Sequence, residues 1–241
     1  MKTRSQHSRL KAIHWAIILF GMVSFFAPRA FAISPEDTKA VRRFEKVTEK
    51  MLVQPYFNPD IKYPFHVRFI DSPEVNAYSK FVNGECWVMV NTGLWDKNKG
   101  LIQIDSDDEY AAALGHEMGH CLAQHQELMR ETIMQMAKEM KAARQSGNKP
   151  ANPYWEILAT KRDQENEADF IGMKLMLAAG YDPWAAFVIW MRAAAREDDV
   201  NVPPYYRDHP SAAERTVRIQ EALDADNIPR RVKGKYKVMG Q

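Results

Sequence analysis

A chain of 241 residues that is 46% hydrophobic and 27% charged has the length and composition of one globular domain with at most a small appendage. Five of its basic residues fall in the first 32 positions, which hold no acid; the remainder carries 28 basic against 31 acidic residues, a net charge of −3. That balance excludes the clustered basic face of a nucleic-acid-binding domain, and two cysteines, Cys86 and Cys121, exclude a disulfide-dense scaffold.

The first 32 residues read as a leader. "MKTRSQHSRLK" is basic, "AIHWAIILFGMVSFFA" is almost uncharged, and "PRAFA" ends small-x-small, the layout of a secretory signal peptide cleaved after Ala32. The apolar run is shorter than the ~20 residues a spanning helix needs. The expectation is an exported domain, in the periplasm, with no stable membrane span once the leader is removed; an uncleaved anchor is the alternative. Two buried thiols acting as small apolar residues are expected at Cys86 and Cys121, with a single bridge as the other possibility.

The domain proper is expected over 33–224, followed by a basic tail at 225–241. "SPEDTKAVRRFEKVTEKMLVQ" opens with Ser34 as N-cap and Pro35 at the first helical position, so a helix runs from there towards Pro55. "YPFHVRFIDSPEVNAYSKFVNGECWVMVNTGLW" is rich in β-branched and aromatic residues punctuated by "DSP" and "NGE", which predicts two or three short antiparallel strands. From Ser106, spaced from Glu109 as in a capping box, a long run of helix formers extends to Gln145. After the loop "SGNKPANP", Pro153 opens a helix to about Gly180, Asp182 and Pro183 start another, and a last short helix follows "DHP".

The first long helix carries "HEMGH". At 100° per residue, His116 and His120 lie about 40° apart and can converge on one ion, while Glu117 points aside, where a carboxylate can reach water instead of metal. This is the arrangement of a zinc hydrolase. On the same helix His125 falls about 180° from His116 and reads as a surface or satisfied core histidine. Met129, Met134, Met136 and Met140 read as core or groove lining. A catalytic zinc takes three protein ligands and leaves a fourth position open; Glu165, Glu167 and Asp169 on the following helix are the candidates for the third. His209 and Arg215 come near the end of the fold in "DHPSAAER".

HEMGH, then ENEAD within E-x-x-x-D, then HPSAAER, in that order, resemble the HtpX-like and CAAX-prenyl-protease-related zinc metallopeptidases of peptidase family M48. The likeness covers about residues 60 to 222, in the short exported form. It implies a mainly helical α+β gluzincin fold whose small antiparallel sheet packs on the active-site helix and holds an extended peptide at an edge strand, read here as the strand around Cys86 to Asn91. It also implies one Zn2+ per chain bound by His116, His120 and Glu165, with Glu117 as the base and Asp169 orienting a ligating histidine. His209 and Arg215 match positions associated with the transition state or with gating of the metal. Helix geometry independently favours Glu165: Leu158, Asp169, Gly172 and Met176 fall within about 40° of it, whereas Glu167 lies about 200° away among Glu156, Thr160, Asp163 and Lys174. The expected function is an endopeptidase acting on extended or unfolded polypeptides in envelope quality control. The rival is a zinc-bound, weakly proteolytic chaperone or assembly factor in which His209 fills the fourth metal position. Nothing in the sequence sets an oligomeric state.

Overall fold

The computed structural model describes residues 34–52, 64–149, 152–196 and 209–228. The expected leader and its cleavage site after Ala32, and the tail beyond Ile228, lie outside the described residues. No helix among the described residues is long and apolar enough to cross a membrane.

Helix α1 (Pro35–Leu52) starts where Ser34 Oγ accepts the Asp37 N–H at 3.0 Å. Its buried stripe, Ala40, Phe44, Val47 and Met51, follows the helical repeat, and the Phe44 ring meets Tyr110 edge-on at 4.4 Å. The strands are β1 (Phe65–Ile70), β2 (Ala77–Val82) and β3 (Glu85–Asn91), in spatial order β1-β3-β2. Strands β2 and β3 form a hairpin across Asn83 and Gly84, both at positive φ, as a two-residue primed turn requires.

The sheet is mixed, which corrects the expected antiparallel arrangement, because β1 pairs parallel to β3 from Phe65↔Cys86 to Ile70↔Asn91. The "DSP" stretch is a crossing and not a hairpin turn: it passes over the end of β3, where Asn91 N–H donates to Asn76 O and Gly93 N–H to Ser72 O. Gly93 makes this possible, since a Cβ there would lie 2.5 Å from the carbonyl oxygens of Pro73 and Glu74. A second correction follows: β3 is the central strand with both edges paired, so Cys86–Asn91 has no edge to offer a peptide. Strand β2 has.

Cys86, Val88 and Val90 point from β3 into the core. Cys86 is bonded to Cys121, so the expected free thiols are instead a disulfide. The reason is that β3 packs against the C-terminal part of helix α2 (Asp107–Leu122), which sets the two Cα atoms 6.0 Å apart, within bridging range.

Helix α2 crosses α4 (Tyr154–Ala178) at backbone contact. A Cβ on Gly119 would sit 2.5 Å from Ala168 O, and one on Gly172 would sit 2.7 Å from Gly115 C. Gly115 and Gly119 on one helix thus face Ala168 and Gly172 on the other, small residues at i and i+4 on both. The expected unbroken helix to Gln145 is two helices: α2 ends at Leu122, Gln124 adopts φ 55° and ψ 35°, and α3 runs from His125 to Gln145. In α3 only His125 and Met136 are buried; Met134 is half exposed, so it lines neither core nor groove.

Ser106 Oγ accepts the Glu109 N–H, but the capping box is not completed, because the buried Glu109 carboxylate accepts from Gln103 N–H and from Arg192 at 2.8 and 3.1 Å. That pair ties α5 (Trp184–Ala194) to α2, with Arg192 also donating to Leu101 O. Helix α6 (Ala212–Ala225) has the complete box, Ser211 with Glu214. The fold continues past the expected boundary at 224: Trp184 Nε1 donates to Ile228 O.

Candidate metal centre

One turn apart on α2, His116 and His120 bring their Nε2 atoms to 3.2 Å. Glu165 reaches across from α4, with Oε2 3.3 Å from His116 Nε2 and Oε1 3.5 Å from His120 Nε2. These three groups could hold a metal ion. Four ligands at Zn–N and Zn–O bonds of about 2.0–2.1 Å around a tetrahedral ion stand about 3.3 Å from one another; His116 Nε2 lies 3.2 Å from His120 Nε2 and 3.3 Å from Glu165 Oε2, while the other carboxylate oxygen, Oε1, lies 3.5 Å from His120 Nε2. Two imidazoles and a carboxylate are also borderline donors of the kind zinc takes.

The glycines explain why Glu165 arrives there. With side chains at 115, 119 or 172 the two helices would stand farther apart, and the carboxylate would fall short of the histidine pair. Gly119, directly before the second histidine, is therefore as much part of the site as its ligands. Helical periodicity puts Gly172 on the same stripe of α4 as Glu165.

A buried ionic layer lies behind the ligands. Asp169 Oδ1 stands 3.0 Å from His116 Nδ1, and Asp169 accepts from Arg215 Nε at 2.8 Å and Nη2 at 2.5 Å. Arg215 Nη1 donates to Glu165 Oε2 at 3.0 Å, and the guanidinium stacks on the Trp190 ring at 3.4 Å. Arg215 is thus committed to the two carboxylates beneath the cleft. Trp190 carries no motif, and only the fold brings it under Arg215. His209 approaches from the cleft side, with Nδ1 3.0 Å from Glu165 Oε1 and its side chain more than half exposed.

Electrostatics follow from this layer in the metal-free protein. For His116, burial and the Arg215 charge act downward, but the Asp169 and Glu165 carboxylates override them and push the imidazole up to about 9. Burial opposes ionisation of Glu165, yet hydrogen bonds from His116, His120 and His209 hold its carboxyl far below the usual range. Burial likewise opposes ionisation of Asp169, and Arg215 and His116 hold it low. Both carboxylates are charged and ready for a cation.

Glu117 is buried beside the histidines on the wall of the same cavity, and its carboxylate has no hydrogen-bond partner among the described residues. The cavity, about 660 Å³, has apolar walls including Leu94, Met173, Met176, Ile189 and Trp190, and is bordered by Val75 to Ser79 at the start of β2. A second cavity of about 380 Å³ continues past His120 and Glu165, with Lys80, Gln126, Glu127, Lys161 and Gln164 around it.

Glu167 lies on the exposed face with Glu156, Asp163 and Lys174, while Leu158, Asp169, Gly172 and Met176 are buried with Glu165. His125 is buried, but the expectation that it stands apart from the site is corrected. The break at Gln124 turns it back, and its Nδ1 lies 2.9 Å from His120 Nδ1 while its Nε2 lies 3.2 Å from Glu167 Oε2. Burial, against the Glu167 contact, holds its pKa below the ordinary histidine value.

Crossed helices bring two histidines, a facing carboxylate and an unpartnered glutamate together in a cleft, a group that could hold one metal ion in the manner of HExxH proteins. Residues 39–223 match the model of peptidase family M48, and the chain belongs to that family. It is similar to the mitochondrial metalloendopeptidase OMA1 of Schizosaccharomyces pombe, 31% identical over 185 residues, covering 73% of this chain and 51% of that protein. It is also similar to the metalloprotease LoiP of Escherichia coli, 27% identical over 139 residues, 54% of this chain and 55% of that one. The S. mikatae Ste24p crystal structure shows a looser likeness, with a TM-score of 0.46 at 19% identity over 64% of this chain and 44% of that one. The chain spans about half the length of the curated relatives it matches.

Proposed function

We propose that this chain is a zinc endopeptidase, exported to the periplasm, that cleaves extended or unfolded polypeptide segments in envelope quality control. The observation that carries the reading is the convergence of His116, His120 and the Glu165 carboxylate, with nitrogen and oxygen atoms 3.2, 3.3 and 3.5 Å apart, beside an unpartnered Glu117 in an open cleft. His116, His120 and Glu165 hold the ion. Zinc, when bound, lowers the pKa of water to about 7 and polarises a carbonyl. Glu117 takes the proton from the attacking water and passes it to the leaving amine. Asp169 orients His116 through Nδ1, and Arg215 fixes both carboxylates. His209, on the cleft side of Glu165, tunes the reaction without being a ligand.

Among the described residues, β2 offers a peptide a strand edge beside this cleft. Phe81 N–H turns outward from β2 and donates to Gln126 Oε1 at 2.7 Å; by the strand's period of two, Ala77 and Ser79 present the same edge. An extended segment adding there takes backbone hydrogen bonds from β2 and places alternate side chains in the pockets. The apolar walls favour an apolar side chain on one side of the scissile bond, and the mixed charges of the second cavity favour polar ones on the other.

An unfolded reporter protein should be degraded by the zinc-loaded wild type and left intact by Glu117→Gln, which should keep its zinc. Wild-type protein that binds stoichiometric zinc yet protects the reporter without cutting it would establish the chaperone reading instead. Export is tested separately: the secreted protein should begin at Ile33.

A further inference from the structure

We infer that His125 and Glu167 form the outer support of the second metal-binding histidine: a hydrogen-bonded chain, His120–His125–Glu167, that sets the tautomer and orientation of His120. The inference rests on the proposed zinc site and extends it to residues without a ligand's role.

A metal-binding imidazole uses its second nitrogen to donate a hydrogen bond, and that partner fixes which nitrogen faces the metal. The two histidines on α2 meet this need differently. His116 has Asp169 directly at its Nδ1, 3.0 Å away. No carboxylate among the described residues stands at Nδ1 of His120; the neighbour there is another imidazole, His125, with Nδ1 at 2.9 Å. The carboxylate comes one step later, Glu167 Oε2 at 3.2 Å from His125 Nε2.

The proton positions then follow from the ends. Glu167, as a carboxylate, can only accept, so His125 carries its proton on Nε2 and leaves a lone pair on Nδ1. His125 Nδ1 therefore accepts from His120 Nδ1–H. The lone pair of His120 is left on Nε2, the atom that stands 3.2 Å from His116 Nε2 and 3.5 Å from Glu165 Oε1. Each link is consistent with the next, and with both imidazoles neutral this arrangement leaves His120 Nε2 free to bind a metal.

The backbone is shaped for this contact. On a continuous helix His125 would point about 140° away from His120. Gln124, a residue with a side chain held at φ 55°, breaks the helix there and turns His125 back, a conformation that costs free energy and needs a compensating contact. Helix α4 supplies further fixing, since Gln164 Nε2 donates to the His125 carbonyl at 3.2 Å. Glu165 as ligand, Gln164 on the backbone and Glu167 at the end of the chain are near neighbours on one helix, so docking α4 assembles the whole support in one step.

His125 is a positioning residue, and metal affinity measured on unreacted protein is the readout. Metal-free wild type, His125→Leu and His125→Asn are titrated with zinc against a chromophoric chelator. Asparagine places an oxygen near the Nδ1 position and keeps an acceptor for His120, whereas leucine keeps only the bulk. His125→Leu should bind zinc about 10–100-fold more weakly, and His125→Asn should recover most of that loss. Equal affinity of wild type and a folded His125→Leu would overturn the inference, as would a loss in which asparagine is no better than leucine. Should the leucine variant not fold, nitrogen NMR of histidine-labelled wild type decides: His125 should carry its proton on Nε2 and His120 on Nδ1, and the reverse pattern would overturn the chain. A wild type without zinc affinity would sink the proposed function, while the metal-free tautomers would still report on the chain itself.

Discussion

Helices α2 and α3 are consecutive, separated by Ala123 and Gln124 alone, and they differ in almost everything the fold asks of them. Helix α2 is buried along most of its length and touches α1, β2, β3, α4 and α5. Helix α3 is longer, yet only His125 and Met136 are buried, and Leu128, Ile133 and Met134 stand about half exposed. Helix propensity favours α3, since α2 carries two glycines, so propensity does not explain why α2 is the buried helix. What does is the pair of glycines: Gly115 and Gly119 admit α4 to backbone contact, while α3 has no glycine and projects. A helix becomes a site where a second helix can come close enough to add a group from another part of the chain.

The largest test of this contrast is at the ligand itself. Glu165→Gln should lose zinc and all cleavage, whereas Glu167→Gln, which keeps an acceptor for His125, should cost less than the tenfold lower bound of about 10–100-fold typical for lost outer partners; dialysis followed by metal analysis checks both. Glu117→Gln should lower kcat by about 10²–10⁴-fold with zinc retained, measured on a peptide reporter.

Next comes the crossing. Gly119→Ala drives a Cβ into Ala168 O, and overpacking of this kind costs about 1–3 kcal/mol; the same variant should weaken zinc binding by moving Glu165. Thermal unfolding with and without zinc reads both terms, and a variant as stable as wild type with unchanged zinc affinity would refute the role given to the glycines. Removing the Cys86–Cys121 link with paired alanines should cost about 2–4 kcal/mol, visible as a lowered Tm, because it releases β3 from α2.

The metal-free site should also respond to pH. His116, raised from 6.5 to about 9, contributes stability that is full below pH 6.5 and is lost as pH rises through about 9. Asp169, held low, contributes above its ordinary range and loses that contribution on acidification. Zinc must displace the His116 proton, so its affinity should rise by about tenfold per pH unit up to about 9, which chelator competition at two pH values measures. The smallest effect belongs to α3: Ile133→Lys, on its exposed face, should change stability by no more than about 0.5 kcal/mol.

Much of the centre was readable in the chain because its parts are local. His116, Glu117 and His120 share one helix, so 3.6 residues per turn places them, and the same periodicity separates Glu165 from Glu167 on α4. The caps Ser34 and Ser106 were readable for the same reason, although Glu109 turned from its box to the buried Arg192. What escaped depends on a single backbone choice or on distant partners. Gln124 has no glycine to announce a left-handed turn, so His125 looked as if it faced away from the site it supports. The parallel pairing of β1 with β3 depends on where the Asp71–Asn76 crossing goes, which a strand's own alternation does not encode.

By itself the sequence determined most of the elements, the shared face of His116 and His120 on α2 and the buried stripe of α4, since these follow from helical periodicity and residue chemistry along one segment. Only the tertiary structure decided that Cys86 and Cys121 are joined, that β2 and not β3 is the open edge, that Arg215 and Trp190 lie beneath the ligands, and that His125 backs His120. The physical reason is that each of these is a contact between segments far apart in the chain or across a break in a helix. Its existence is set by how closely α2, α4 and the sheet pack, and glycine at 115, 119 and 172 is what lets them.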